Sequence, residues 1–271
     1  MLWKQPCIFG SKGKGVLWEL GGVSTAEWIG VPLATILEQA GIKEGALEVI
    51  LQGADKGELK EEPKTPGEIH FVRSLPIDKA RQLEVILAYQ MNGEDLSPEH
   101  GFPVRAIVPG WYGMASVKWL TSIEVTTQPF QGYWQTAEYA YWKRKSGEPV
   151  LVPVSELQTK SEIARPVRSE AIAVGSRYRV FGAAWSSNEI KKVELSTDGG
   201  EHWSAAKLLG DALPYAWRLW EYEWQVPKIP GKHTLMSRAT DAEGNQQPMS
   251  HDADKKAYLI THTLPVEVET R

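Results

Sequence analysis

The residues best suited to chemistry lie in one stretch, His100–Val125, HGFPVRAIVPGWYGMASVKWLTSIEV. His100, Arg105 and Lys118 are three potential cations with glycines beside them, and glycine lets backbone approach a ligand closely. Such a set suits a buried phosphate or a similar anion, which charged donors bind through short, strong hydrogen bonds. Two strands, Pro103–Pro109 and Ser116–Val125, joined across Pro109-Gly110 and a loop, are expected to carry them. Alternation would put Val117, Trp119, Thr121, Ile123 and Val125 on one face and Lys118 on the other. An ordinary half-buried hairpin with surface charges has the same pattern, and pattern alone does not choose between them.

The elements that must position these residues begin with a short amphipathic helix over Val31–Ala40. Leu33, Ile36, Leu37 and Ala40 fall on one face, Pro32 lies near the first turn and Gly41 acts as the stop. Leu47–Gln52 and Leu83–Tyr89 read as strands of a largely buried sheet, with a turn at Asn92-Gly93 and a solvated loop over Lys56–Gly67. From Thr126 to Arg168 the periodicity fades and prolines accumulate. The aromatic run FQGYWQTAEYAYW makes this a connector packed on its neighbours rather than a free linker.

From Glu170 onward the pattern is all-β, with strands expected over 170–174, 178–184, 191–196, 203–207, 215–225, 233–240 and 257–269. Thr197-Asp198-Gly199-Gly200 forms a hairpin turn. Seven short strands at this spacing argue for an immunoglobulin-like sandwich. In the strand over 215–225, Trp220 and Trp224 fall on one face and Trp217 on the other, so both faces are expected to be covered, by a second copy or by core and domain contacts. The fold class expected is therefore α+β followed by an all-β sandwich. Its divisions are 1–127, a wrapping connector over 128–168, and 169–271.

Composition sets bounds. The chain has 271 residues, 42% hydrophobic and 24% charged, with a net charge of −4. These are the proportions of a globular protein, and they give no electrostatic reason to expect nucleic acid or an anionic membrane as partner. The single cysteine, Cys7, excludes an intrachain disulfide and any multi-cysteine zinc or iron–sulfur site. No apolar run approaches the roughly 18 residues of a membrane span, and MLWKQPCIFGSKGKG lacks a signal-peptide core. The residues His251-Asp252-Ala253-Asp254 with His262 are read as a solvated loop rather than an ion site.

The run of HGxPxR, a PGW turn and SVKWL resembles the end of the molybdopterin domain in the sulfite oxidase family. STDGGEHW, AWRLWEYEW and AYLITHTLPVEVE resemble that family's dimerisation domain, so the likeness covers essentially the whole chain. It implies a molybdenum–molybdopterin cofactor, held by a pterin dithiolene and one protein cysteine thiolate. Position by position, it implies cofactor contacts at His100 and Arg105, at Ser116, Val117 (through its backbone) and Lys118, and at Asp55 in Gln52-Gly53-Ala54-Asp55. Trp18 in GVLWELGG falls where the family lines its oxyanion pocket, while Trp28 matches a packing position. Tyr139, five residues after Trp134, falls where the family places a phenol beside the metal, able to bond substrate and pass a proton. Tyr141 competes for that role. Lys256 is the candidate for a third substrate cation, though a lysine clamps an oxyanion less sharply than an arginine.

The departures from the family are as informative. Cys7 lies in PCIFGSKGKG, without the Cys-x-Gly-Asn-x-Arg context of the family's metal ligand, so no metal ligand is assigned and Cys7 is read as a small hydrophobe-like thiol near a chain end. The chain is expected to be the C-terminal two-thirds to three-quarters of such an enzyme and to hold little molybdenum as it stands. The resemblance implies two-electron oxygen-atom transfer, from sulfite to sulfate or on a related small oxide or oxyanion. A homodimer, a periplasmic setting and a separate electron acceptor such as a cytochrome are implied with it, since no haem-attachment stretch occurs. The alternative is a non-catalytic dimerisation or binding protein derived from this family.

Overall fold

The computed structural model describes residues 22–145, 147–255 and 259–271. Chain begins in the described part with β1 (Trp28–Pro32) and α1 (Leu33–Ala40), where Pro32 sits immediately before the first helical residue and Gly41 follows the last one at φ 77. Leu33, Ala34 and Leu37 are buried, while Ile36 is half-buried and Ala40 exposed, so the apolar stripe is narrower than the periodicity suggests. Next come β2 (Glu48–Gly57), β3 (Ile69–Pro76), the single turn α2 (Ile77–Ala80), β4 (Ile86–Met91) and β5 (Glu94–Asp95). Asn92-Gly93 joins the last two, both residues having positive φ as a tight hairpin turn requires. Leu83 is exposed in the loop before β4 and is not part of the sheet.

The segments around Pro109-Gly110 depart from the expected hairpin. Strand β6 (Arg105–Ile107) pairs with β4 in one sheet, and β7 (Leu120–Thr126) pairs with β2 in another, giving the order β3-β2-β7. Trp119 has φ 47, which breaks the alternation. Val117 on one side of it and Leu120 and Ile123 on the other all reach the core, while Thr121 and Val125 are exposed. That core, including Leu33, Leu37, Val49, Leu51, Leu75 and Val117, lies between the two sheets and α1. Two backbone bonds, Ala106 N to Val117 O and Leu120 N to Val104 O, tie the sheets together where the cations lie.

The connector is more ordered than its fading periodicity predicts. It contains a π-helical turn over Trp134–Glu138 and a hairpin of β8 (Ala140–Lys145) with β9 (Glu148–Pro153). Beyond it, β10 (Lys160–Arg165), β11 (Ala171–Ile172), β12 (Arg177–Trp185), β13 (Ile190–Ser196), β14 (Ser204–Ala205), β15 (Lys207–Leu208), β16 (Arg218–Gln225), β17 (Gly231–Asp241) and β18 (Val266–Thr270) form two sheets. Their orders are β10-β12-β16-β15 and β11-β18-β17-β13-β14. The strand expected over 203–207 divides at Ala206, so β14 pairs in one sheet and β15 in the other. Within the described part of the strand expected over 257–269, β18 begins only at Val266. The described residues are mostly β, with two α-helices.

Trp220 and Trp224 do not form an exposed face. They fill the core shared by the two sheets with Val180, Val193, Leu195 and Leu235. Gly182 pairs with Trp220 across β12 and β16, and a Cβ there would lie 2.7 Å from the indole, so glycine makes room for the ring. Trp217 precedes β16, and its N–H bonds Thr25 Oγ1 at 3.3 Å across the two halves of the chain. Tyr215, at φ 58, also bridges the halves, donating to Glu84 at 2.7 Å. Gly110 belongs to this contact: a Cβ on it would lie 3.3 Å from the Tyr215 ring. The close approach this glycine permits is therefore to an aromatic ring of the two-sheet half.

Trp220 is fully buried and its Nε1 has no hydrogen-bond partner among the described residues, so its contribution is packing. Trp220→Ala is expected to cost about 3–5 kcal/mol by denaturant unfolding, whereas Trp220→Phe, which loses no hydrogen bond, should cost less than half as much.

Candidate cofactor and active site

The site is built around an irregularity in β2. Gln52 pairs with Val72 and Lys56 with His70, so Gly53, Ala54 and Asp55 all face the single residue Phe71. Such a bulge turns the strand and re-aims its side chains. Gly53 is required here. A Cβ would collide with Asp55 Oδ1 and stand 2.8 Å from the Lys118 carbonyl oxygen. Ala54 N bonds Trp119 O at 2.8 Å, and His70 Nδ1 bonds Gly53 O at 3.1 Å. Partial burial pushes the Asp55 carboxyl up, against its own backbone N–H and the charges of Lys118 and His70, which pull it down.

The loop before β6 brings the cations to this bulge. Ser97 caps a short 3-10 turn over Pro98–His100, and its Oγ lies 2.9 Å from His100 Nδ1. Gly101 ends the turn at φ 99, with Lys118 packed so close that a Cβ would lie 3.0 Å from the lysine Cβ. Lys118 Nζ donates to Glu99 O at 2.9 Å and lies 4.1 Å from the centroid of the Trp119 ring. Arg105 donates to His100 O at 3.0 Å and Ser116 O at 2.9 Å, with its guanidinium 5.0 Å from the Trp28 ring centroid. Burial brings the Arg105 pKa down to about 10, which leaves it charged at neutral pH. Ser116 Oγ accepts from Val108 N, and Val117 O accepts from Ala106 N. Asp55, His100, Arg105, Ser116, Val117 and Lys118 are thus brought together.

Tyr139 reaches the same region from the connector. Its ring centroid lies 6.2 Å from that of Trp134 and 6.3 Å from that of Phe71. Trp134 Nε1 donates to His70 O at 2.8 Å, so the phenol is linked through Trp134 and His70 to the bulge that carries Asp55. A buried polar relay holds the turn in place. Gln135 Oε1 accepts from Ser74 N at 3.0 Å, Gln135 Nε2 donates to Ser74 Oγ, and Ser74 Oγ donates to Glu48 at 2.5 Å. Tyr141 instead lines a separate cavity of about 530 Å³ with Arg144, Gln158 and Lys255. Burial pushes both Tyr141 and Tyr112 upward, Tyr112 to about 12.

Trp18, Cys7 and Lys256 lie outside the described residues. Neighbouring Lys255 is held down by burial and donates to Gln158 at 2.5 Å. Asp254 pairs with Arg144 at 2.7 Å. Several side chains at the site escaped the sequence reading: His70, Ser74, Gln135 and, above all, Arg73, a charge inside the apolar run of β3. That last feature was the available signal.

A family model described as the oxidoreductase molybdopterin binding domain matches residues 6–134, and one described as the Mo-co oxidoreductase dimerisation domain matches residues 152–255. The chain belongs to the sulfite oxidase family. It is 34% identical over 259 residues to sulfite oxidase of Gallus gallus, covering 88% of this chain and 53% of that protein. Against the mitochondrial sulfite oxidase of Mus musculus it is 33% identical, covering 87% of this chain and 44% of that protein. An inducible nitrate reductase of Glycine max is 34% identical, with 86% of this chain and 29% of that protein covered. The chain thus spans about half, or less, of these relatives. Among solved structures, the sulfane dehydrogenase SoxCD of Paracoccus pantotrophus matches with a TM-score of 0.74 at 28% identity, covering 89% of this chain and 60% of that one.

The donors around the bulge fit a molybdopterin. His100 and Lys118 keep donors free for a phosphate, each terminal nitrogen of Arg105 keeps a second N–H, and Asp55 can accept from pterin N–H groups. Gly53→Ala is expected to deform this site. Its Cβ can be placed only by moving Asp55 and the Lys118 backbone, so melting should show a loss of about 1–3 kcal/mol.

Proposed function

We propose that this protein oxidises sulfite to sulfate as a molybdopterin oxidoreductase. Sulfite and water give sulfate, two protons and two electrons, and the electrons leave to a separate acceptor such as a cytochrome. The observation that supports the reading is the chain of contacts from the Asp55 bulge through His70 and Trp134 to the Tyr139 ring. When bound, the molybdenum supplies the two-electron chemistry. The chain's own residues do the rest. His100, Lys118 and Arg105 neutralise the phosphate, with Ser116 and the Val117 backbone completing that wall. Asp55 orients the pterin. Tyr139 donates to the oxyanion and accepts or returns a proton at its phenolic oxygen. Trp18 and Lys256 would complete the substrate pocket.

The two-sheet half is proposed to be immunoglobulin-like and to join two copies into a homodimer, in keeping with the description of the family model it matches. The divisions proposed are 1–127, 128–168 and 169–271.

The test is paired. Molybdenum and pterin contents are measured on the wild type, Tyr139→Phe, Tyr141→Phe and Arg105→Ala, and sulfite oxidation is compared per molybdenum held, because no metal-ligating thiolate is assigned in this sequence and the content is expected to be low. Tyr139→Phe should keep the ring and its cofactor content but lower turnover about 10- to 1,000-fold. Arg105→Ala should lose cofactor, because the turn at His100 and the loop at Ser116 lose their brace. Full activity in Tyr139→Phe with a loss in Tyr141→Phe would move the role to Tyr141. A wild type that neither holds the cofactor nor turns over sulfite would instead favour a non-catalytic protein, and nitrate reduction in its place would change the substrate.

A further inference from the structure

Arg73 is 1% exposed in the middle of β3, opposite Leu51. Among the described residues no carboxylate forms an ion pair with it. Its two terminal nitrogens donate to Trp134 O and Val154 O, each at 2.8 Å, and its Nε is buried without a partner. A buried charge held only by carbonyls is costly, and an apolar side chain of the same volume would serve packing better. Burial brings its pKa down to about 10, so the charge persists at neutral pH.

The two carbonyls are not arbitrary. Trp134 O also accepts from Tyr139 N at 3.2 Å, and Val154 N donates to Tyr139 O at 2.9 Å. The guanidinium therefore grips the two residues that hold the Tyr139 peptide on either side, while its carbon lies 5.8 Å from the Tyr139 ring centroid. A planar fork can bridge two carbonyls in this way; the compact ammonium of a lysine is poorly shaped for it.

We propose that Arg73 is a positioning residue for Tyr139, clamping both ends of the backbone that carries the phenol and keeping a permanent positive charge beside its ring. The proposal rests on the reading of Tyr139 as the group that meets the oxyanion. Arg73 acts on the reaction only through that phenol, so its effect should vanish when the hydroxyl is gone.

A double-mutant cycle on the cofactor-loaded protein tests this, with sulfite as substrate and Arg73→Met, Tyr139→Phe and their combination compared. Arg73→Met should lower kcat about 10- to 100-fold while changing KM less, and in the Tyr139→Phe background should change kcat less than about threefold. Equal losses in both backgrounds, or full activity in Arg73→Met, would overturn the proposal. If Arg73→Met does not fold, Arg73→Lys is carried through the same cycle. Amide hydrogen exchange on the cofactor-free chain gives a second readout: protection at Tyr139 and Val154 should fall at least about tenfold while β12 and β16 are unchanged. Unchanged protection there would overturn the clamp. A wild type that fails to oxidise sulfite counts against the proposed function, and the exchange measurement then decides the inference about Arg73 by itself.

Discussion

The cations of the site are held by backbone carbonyls. Arg105 donates to His100 O and Ser116 O, Lys118 to Glu99 O, and Arg73 to Trp134 O and Val154 O. A carbonyl fixes a guanidinium or ammonium in place without cancelling its charge, whereas a carboxylate would neutralise it. The sandwich does the reverse. There Arg179 pairs with Glu221, and Arg238 and Lys192 both pair with Glu194. A chain with a net charge of −4 thereby keeps a local excess of positive charge at the site proposed to bind an anion.

That arrangement depends on the backbone being irregular where it supplies carbonyls. Gly53, Gly101 and the positive φ of Trp119 each take the chain out of regular strand or helix, and each does so within reach of Lys118. Regular sheet would spend the same carbonyls on strand pairing. The cost of the irregularity is offset by the core beneath it, where Val117, Leu51 and Leu75 are fully or almost fully buried. Packing on that side restricts the loops on the other.

How much of this could be read from the sequence follows from how local each feature is. The helix at Leu33, the Asn92-Gly93 turn, the Asp198 hairpin and most sandwich strands depend on neighbours a few residues away, and their signals were clear. The pairing of β6 and β7 with different sheets depends on partners far along the chain, so adjacency in sequence suggested a hairpin that does not form. Trp220 and Trp224 carried an alternating pattern that fits an interface as well as a core; only the opposing sheet, built from β13, β17 and β18, decides for the core. The role of Gly110 against Tyr215 spans more than a hundred residues, so the sequence showed it only as a turn glycine. Arg73 was hidden for a related reason, since its two partners come from the connector, whose fading periodicity gave no hint that it folds back onto β3.

The likeness to both sulfite oxidases and a nitrate reductase sharpens where specificity must lie. Groups proposed to bind the cofactor, such as Asp55, His100 and Lys118, would serve either chemistry, because the phosphate and pterin make the same demands in each. Discrimination between a pyramidal sulfite and a planar nitrate has to come from donors that meet the oxyanion itself. Under the proposed roles the first of these is the Tyr139 phenol, whose backbone is held through Arg73, Trp134 and the Glu48–Ser74–Gln135 relay rather than by the cofactor wall. Under the same roles, a shift of the connector by a fraction of an ångström would leave the cofactor wall in place and move the phenol, which separates the two tasks structurally.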